Sequence, residues 1–174
     1  TSTFYLENKK NKKIILFENY INAKIYLENN EKDKARKILE NIILESDSIY
    51  SALSLFLILN ENLIEDKSKI SALFDYILEK SKFEKEIKNL IILKKTLFLS
   101  NSISEKELLD TLKPLLGNES LWKPHALLLI ADYYLSKKEN IKAREFYLEI
   151  LKLKNLSNEF YDKSKTHLTF IANE

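Results

Sequence analysis

An internal repeat constrains the fold of this chain more than any other feature of its sequence. Residues 22–43 align without gaps on residues 130–151, at an offset of 108 residues, and 8 of the 22 aligned positions are identical. The identical pairs are Ala23/Ala131, Tyr26/Tyr134, Leu27/Leu135, Glu31/Glu139, Lys34/Lys142, Ala35/Ala143, Arg36/Arg144 and Ile42/Ile150. An offset that equals three units of about 36 residues is typical of proteins built from stacked helical hairpins.

The spacing inside each copy predicts two antiparallel helices joined by a short polar turn. Ala23 and Tyr26 fall on the first helix, and Ala35, twelve residues after Ala23, falls on the second. Helices that cross closely need small residues at the crossing, and a large aromatic residue beside it fills the remaining space. The second copy has small residues at the equivalent positions, Ala131 and Ala143.

The rest of the chain also favours helices, because it contains one glycine and two prolines in 174 residues and sheets need frequent turn residues. Apolar residues recur with helical periodicity from end to end. We therefore predict an all-α array of stacked helical hairpins, formed by residues 1–174 as one domain. Its expected parts are hairpins at about 4–46, 48–80, 82–117 and 120–155, followed by a C-terminal capping helix at 158–172.

Local signals mark several helix ends. Ser81 and Ser104 each precede a glutamate by three residues, which predicts a capping box at two helix starts. Pro114 is expected to end the sixth helix, with Gly117 as the left-handed residue that follows it. Pro124 suits the first turn of a helix. The two middle hairpins diverge from the repeat, and their candidate small residues are Ser54 and Ala72.

The charge pattern argues against nucleic-acid binding. The chain has 28 basic and 26 acidic residues, for a net charge of +2, and the two signs are interspersed. Only Arg36 and Arg144 could donate paired hydrogen bonds to phosphate or guanine. The chain has no cysteine, which removes disulfides and thiol chemistry.

Catalytic and metal-binding patterns are also missing from the sequence. The two histidines, His125 and His167, are 42 residues apart, and neither belongs to a metal-binding, nucleophile or phosphate-loop motif. We expect both histidines to be structural. The sequence therefore predicts a protein that is not an enzyme and has no catalytic residues, no metal and no cofactor.

The spacing of small and aromatic residues resembles the tetratricopeptide repeat, which implies an all-α, tetratricopeptide-like right-handed superhelix. Ala23 and Ala131 stand where that repeat usually has glycine, and Leu39 and Tyr147 where it usually has an aromatic residue. The whole chain more specifically resembles the tetratricopeptide-like family of the ancillary SecYEG translocon subunit. The segments that carry this resemblance are Leu121-Trp122-Lys123-Pro124-His125-Ala126, which leads into the second copy, and Ile49-Tyr50-Ser51-Ala52-Leu53 after the first. The tryptophan and closing proline of the repeat motif are missing from both copies.

The resemblance implies a non-catalytic protein–protein interaction scaffold that serves as a membrane-anchored ancillary subunit of a secretion translocon. It implies translocon or chaperone components as partners and a place at the periplasmic face of a bacterial inner membrane. The chain has no methionine, even at position 1, so we expect it to be a processed or truncated piece whose membrane helix lies upstream of Thr1. The alternative is a cytoplasmic tetratricopeptide adaptor or oligomerisation module.

In this fold the first helix of each hairpin lines a concave face, which we expect to bind protein or peptide segments. The candidate groove residues mix apolar groups with both charges and are Tyr20, Lys24, Glu28, His125, Leu128, Asp132 and Ser136. Two other features have a structural and a binding interpretation. Trp122 is either a packing residue or an interface hot spot, and we favour packing. The lysines between Lys9 and Lys13 form either a solvated helix start or a lipid headgroup contact, and we favour the first.

Overall fold

The structure is a computed structural model that describes residues 2–174. Over that range it is all-α, with no strand, as the sequence predicts. The helices are α1 (Ser2–Glu28), α2 (Lys32–Leu44), α3 (Tyr50–Asn60), α4 (Lys67–Lys80), α5 (Lys85–Leu99), α6 (Glu105–Leu112), α7 (Lys123–Ser136), α8 (Asn140–Leu151) and α9 (Asn158–Ala172). One 3-10 turn, Lys113–Leu115, follows α6 and holds Pro114.

The chain divides into two compact units, and each is described here by itself. The first unit ends at Glu84 and contains α1 to α4, and the second begins at Lys85 and contains α5 to α9. In the first unit α2 packs against both α1 and α3, and α3 packs against α4. In the second unit α8 packs against both α7 and α9, and α5 and α6 pack against each other and against α7.

The internal repeat is visible in where the helices begin and end. The offset of 108 residues relates the last residues of α1 and α7, the first residues of α2 and α8, and the first residues of α3 and α9. These pairs are Glu28/Ser136, Lys32/Asn140 and Tyr50/Asn158. The repeat therefore extends beyond the two aligned hairpins to the start of the helix that follows each one.

Alanines lie at the helix crossings of both repeated hairpins. Ala23, Ala35, Ala131 and Ala143 are all fully buried, with 0% of their surface exposed. A side chain no larger than a methyl group lets the two helix backbones approach closely, and larger residues pack around the contact. Their full burial agrees with the predicted role.

The turn inside each repeated hairpin has the same hydrogen bonds. At the end of α1, the Glu31 N–H donates to the Tyr26 carbonyl at 2.8 Å, and the residue between the helices, Asn30, has φ 60°. At the end of α7, the Glu139 N–H donates to the Tyr134 carbonyl at 2.9 Å, and Lys138 also has φ 60°. This arrangement is the Schellman motif, which satisfies the free carbonyls at a helix end.

The serine cap of one of the two predicted capping boxes is present. Ser104 is the N-cap of α6, and its hydroxyl accepts a hydrogen bond from the Glu107 N–H at 3.2 Å. The prediction for Ser81 is wrong, because this residue ends α4 and α5 begins only at Lys85. The Ser81 hydroxyl is buried and lies 3.2 Å from the Ser51 hydroxyl, so it is already used inside the first unit.

Two further local predictions are wrong. Gly117 does not have a positive φ, and the left-handed positions of residues 2–174 are taken by residues with side chains instead. Ser54 is fully buried, as a small residue at a helix contact should be, but Ala72 is exposed and lies on the solvent side of α4. Pro124 does lie in the first turn of α7, where its missing N–H costs no helical hydrogen bond.

Candidate protein-binding surfaces

The first set of predicted groove residues lies along α1. Lys24 and Glu28 are exposed, and neither side chain forms an ion pair or hydrogen bond within residues 2–174. Tyr20 is half-buried, with its ring centroid 6.1 Å from that of Tyr50 at the start of α3. Burial raises the pKa of Tyr20. These three side chains follow one another at intervals of four residues, so they form one stripe along the helix.

The second set lies along α7. Asp132 and Ser136 are exposed, whereas His125 and Leu128 are half-buried. Leu128 packs against the hydrophobic core of the second unit. The Ser136 hydroxyl donates to the Tyr133 carbonyl at 2.7 Å and so helps to satisfy the last turn of α7. Because α1 and α7 belong to different units, the idea that both sets line one groove stays a prediction.

His125 lies in an aromatic pocket between α7 and α9. Its ring is 5.1 Å from that of Trp122 and 4.7 Å from that of Phe160, and it meets both edge-on. Burial lowers the pKa of His125, because a charged imidazolium is poorly solvated in this position. The contact with Phe160 gives the ring a packing role, as expected for a structural histidine.

Asp132 is engaged by the same neighbouring helices. The Tyr147 hydroxyl on α8 donates to its carboxylate at 2.6 Å, and His167 Nε2 on α9 lies 3.9 Å from the same oxygen, Oδ1. The Tyr147 and His167 rings are stacked at 5.1 Å. Burial, and then the bond to Asp132, raises the pKa of Tyr147 well above its ordinary value. Asp132 therefore links α7 to both α8 and α9.

Trp122 is a packing residue. It is half-buried against the core of the second unit, and its indole N–H donates to the Glu86 carbonyl on α5 at 2.8 Å. The Leu121 N–H donates to the Glu86 carboxylate at 3.2 Å. These bonds fasten the segment before α7 to the preceding hairpin, which agrees with the structural interpretation of Trp122.

The polar identities of the repeat form a matching cluster in each hairpin. Lys34 pairs with Glu31 and lies over the Tyr26 ring at 5.3 Å. The equivalent lysine of the second hairpin, Lys142, pairs with Glu139 at 2.8 Å and lies over the Tyr134 ring at 5.1 Å. Each cluster bridges the turn between its two helices. Contacts within the hairpin therefore account for the identical residues at these positions of the two copies.

The second cluster also includes α6. Glu105 accepts hydrogen bonds from Lys142 at 3.0 Å and from the Tyr134 hydroxyl at 2.9 Å. The bonds from Lys142 and Tyr134 lower the pKa of Glu105. Burial and the bond to Glu105 raise the pKa of Tyr134 to about 12. The cluster therefore attaches the fourth hairpin to the third.

The lysines near the start of α1 differ in their partners. Lys12 pairs with Glu45 at 2.8 Å, and that bond raises the pKa of Lys12. Lys13 lies 3.9 Å from Asp47, which caps the start of α3 by accepting the Ile49 and Tyr50 N–H groups at 2.8 Å. Two of these lysines thus hold the end of α2 and the start of α3 against α1.

Sequence reasoning missed an exposed apolar surface on α1. Eight large apolar residues of this helix are exposed: Phe4, Tyr5, Leu6, Ile14, Ile15, Phe17, Ile21 and Ile25. Phe17, for example, leaves 50% of its surface exposed. The helix is apolar on both sides, so its periodicity alone does not show which side is covered. The signal in the sequence was the spacing of Ile14, Phe17 and Ile21.

Comparisons with protein-family models, with curated proteins and with solved structures give no match to this chain. Among residues 2–174, no group of three or more His, Cys, Asp or Glu side chains is placed to hold a metal ion. None of the helices in that range is both long and apolar enough to cross a membrane.

Proposed function

We propose that this protein is a non-catalytic scaffold that binds protein segments on a tetratricopeptide-like array of helical hairpins. The observation that carries the proposal is the repeated three-helix arrangement. In both units the second helix of a repeated hairpin packs against its own partner and against the next helix along the chain. In tetratricopeptide-like proteins, stacking of such hairpins leaves the first helices on one face, and we propose that this face binds the segment.

The composition of the α1 stripe supports a peptide or an extended protein segment as the ligand. Tyr20 offers a half-buried aromatic surface, and Lys24 and Glu28 offer both charges with no internal partner. The main-chain amides of a peptide can form hydrogen bonds with such a surface, and its side chains can pair with the charges and pack on the aromatic ring. An extended segment loses conformational freedom on binding, so we expect a dissociation constant on the order of micromolar.

The test is selection from a phage-displayed library of random peptides, followed by binding to a variant of the stripe. We expect the combined change Tyr20→Ala and Lys24→Glu to weaken the selected peptides at least about tenfold, with an unchanged helical spectrum. The matched control is Asn22→Ala with Lys37→Glu, which alters an exposed polar residue and an exposed lysine away from the stripe. Equal binding to wild type and the stripe variant would show that the ligand surface lies elsewhere.

Within this function, we propose the ancillary translocon subunit as the cellular role. The support is the segment 121–126, which leads into the second repeated hairpin, and its resemblance to that family. A cytoplasmic adaptor or oligomerisation module is the second candidate, favoured by the exposed apolar side chains of α1. Purification of the native protein from membranes separates the two: copurification of translocon subunits supports the first, and a soluble protein free of them supports the second.

A further inference from the structure

We propose that α9 is a displaceable cover, and that an amphipathic helix of a partner protein takes its place on α7 and α8. The inference goes beyond the stripe of α1 and does not depend on it. It starts from the position of α9, which packs against both α7 and α8 inside the second unit. Because this surface already holds one helix, the chemistry of a partner helix can be described from α9 itself.

The side of α9 that meets α7 and α8 has the spacing of a helix laid in a groove. Its residues are buried or half-buried, whereas the residues between them are exposed. They are Phe160, Ser164, His167, Leu168 and Ile171. Three of them, Phe160, Leu168 and Ile171, pack against the hydrophobic core of the second unit. Anchors that recur every three or four residues along one side of a helix are typical of helix-in-groove binding.

The contacts that hold α9 are few for a helix of this length. Of its 15 residues, α9 fully buries Ser164, whereas α3, the equivalent helix of the first unit, buries five of 11, partly because α4 also packs against it. Within residues 2–174 the side-chain hydrogen bonds of α9 stay inside the helix itself, and His167 Nε2 lies 3.9 Å from the Asp132 carboxylate. Elements with few buried contacts open at a lower free energy than the rest of a fold.

Two residues of α9 affect its docking in opposite directions. The Phe160 ring lies 4.7 Å from the His125 ring and favours docking by burying apolar surface. Ser164 is fully buried, but its hydroxyl has no hydrogen-bond partner within residues 2–174, which opposes docking. Just beyond α9, the Asn140 amide donates to the Glu174 carboxylate at 2.6 Å in an exposed position. Changes at Phe160 and Ser164 should therefore shift the cover in opposite directions.

The partner helix that fits this surface carries the same pattern as α9. It has an aromatic residue to pack on His125 as Phe160 does, and a small residue four positions later in the place of Ser164. Seven positions after the aromatic residue it has a hydrogen-bond donor or a cation, because Asp132 and Tyr147 face His167 there. Apolar residues follow at positions eight and eleven.

Binding of a synthetic, fluorescently labelled peptide of residues 156–174 tests the proposal. We expect the full chain with Phe160→Ala to bind this peptide at least about tenfold more tightly than the wild-type chain does, because its own α9 competes less. Ser164→Ala in the chain should instead weaken binding, because it strengthens the docking of its own α9. The matched control is Phe170→Ala, since Phe170 lies on α9 but is 53% exposed. Fluorescence anisotropy measures all four chains, and a Phe160→Ala chain that binds no peptide overturns the proposal.

Native-state hydrogen exchange of the wild-type chain distinguishes displacement of α9 from general unfolding. We expect the amides of α9 to open at a lower free energy than those of α7 and α8. If the amides of α9 exchange only together with those of α8, α9 is a fixed part of the fold and the proposal fails. A chain that exchanges α9 with a second copy and binds no peptide assigns the surface to that copy, which also overturns the proposal. Neither result bears on the α1 stripe, which has its own variant.

Discussion

Four alanines set how closely the helices approach in the two repeated hairpins. At each position a methyl group already fills the available space, since Ala23, Ala35, Ala131 and Ala143 are fully buried. The large residues beside them, such as Leu39 and Tyr147, are also fully buried. A longer side chain at the crossing can be accommodated only if the helices move apart, which disturbs that surrounding packing.

We expect Ala35→Leu and Ala143→Leu each to lower the free energy of unfolding by about 1–3 kcal/mol, because each overpacks a helix crossing. Ala72→Leu is the matched control, since Ala72 is an exposed alanine on α4, and its effect should stay within about 0.5 kcal/mol. Urea denaturation followed by circular dichroism measures all three. If Ala72→Leu costs as much as the other two, the loss comes from leucine itself and not from the crossing.

At the scale of the element, the turns between paired helices depend on residues with positive φ. Asn30 and Lys138 occupy equivalent turns and have the same φ of 60°. The left-handed conformation strains any residue with a Cβ atom, but asparagine tolerates it better than lysine. The second hairpin therefore keeps backbone strain at Lys138 that the first hairpin largely avoids at Asn30.

Glycine at the second turn should relieve this strain. We expect Lys138→Gly to raise the free energy of unfolding by up to about 1 kcal/mol, and Asn30→Gly to change it less. The neighbouring Lys137 has φ −87°, so Lys137→Gly should instead lower it by about 0.5–1 kcal/mol, because glycine adds freedom to the unfolded chain. Thermal and urea denaturation measure the stability of the three variants. If Lys137→Gly and Lys138→Gly change the free energy of unfolding in the same direction, strain at Lys138 is not the cause.

Sequence reasoning located the helices and the repeat correctly, but it was less reliable for helix ends. The capping motif at Ser104 holds because its hydroxyl is free to accept the Glu107 N–H. The same motif at Ser81 fails because this residue lies at the end of α4, with its hydroxyl 3.2 Å from that of Ser51, and α5 begins only at Lys85. Gly117 fails for a different reason: local preference allows a left-handed residue there, but the turn does not use one. No neighbouring side chain crowds Gly117, so its prediction rested on residue type alone.

The candidate surfaces were only partly accessible to sequence reasoning. The hairpin spacing indicated which residues share a stripe with Lys24 or Asp132, because that follows from helical periodicity alone. The links from Asp132 to Tyr147 and His167 depend on how α8 and α9 pack, which single-helix patterns do not contain. The exposed apolar side of α1 was missed because the periodicity of a helix that is apolar on both sides does not show which side is covered.

At the scale of the whole molecule, the chain consists of two units with separate internal contacts. The first unit contains one repeated hairpin, α1–α2, with α3 and α4, and the second contains the other, α7–α8, with α5, α6 and α9. The second unit has its own hydrophobic core, in which Leu112, Ile130 and Tyr147 are fully buried. Each unit thus has the repeated hairpin and the neighbouring helices that cover it.

We expect residues 1–84 and residues 85–174 each to fold when expressed alone, because each carries its own core. For the second fragment, Trp122 is the only tryptophan of the chain, and its bond to the Glu86 carbonyl lies within the fragment. Its fluorescence should therefore show a cooperative urea transition. Circular dichroism gives the same information for the first fragment. A fragment with no cooperative transition would show that its core depends on the remainder of the chain.

The left-handed turn residues also connect this fold to the base composition of its gene. Among residues 2–174, five residues with side chains have positive φ, namely Asn30, Ser46, Asn62, Lys138 and Asn155, while Gly117 does not. Every glycine codon begins with two guanines, whereas asparagine and lysine codons begin with two adenines. A gene under pressure toward adenine and thymine therefore reaches asparagine or lysine at such turns more easily than glycine. Such a gene would keep turns that carry more backbone strain than glycine would, and directed evolution freed from that pressure should recover glycine at Lys138 first.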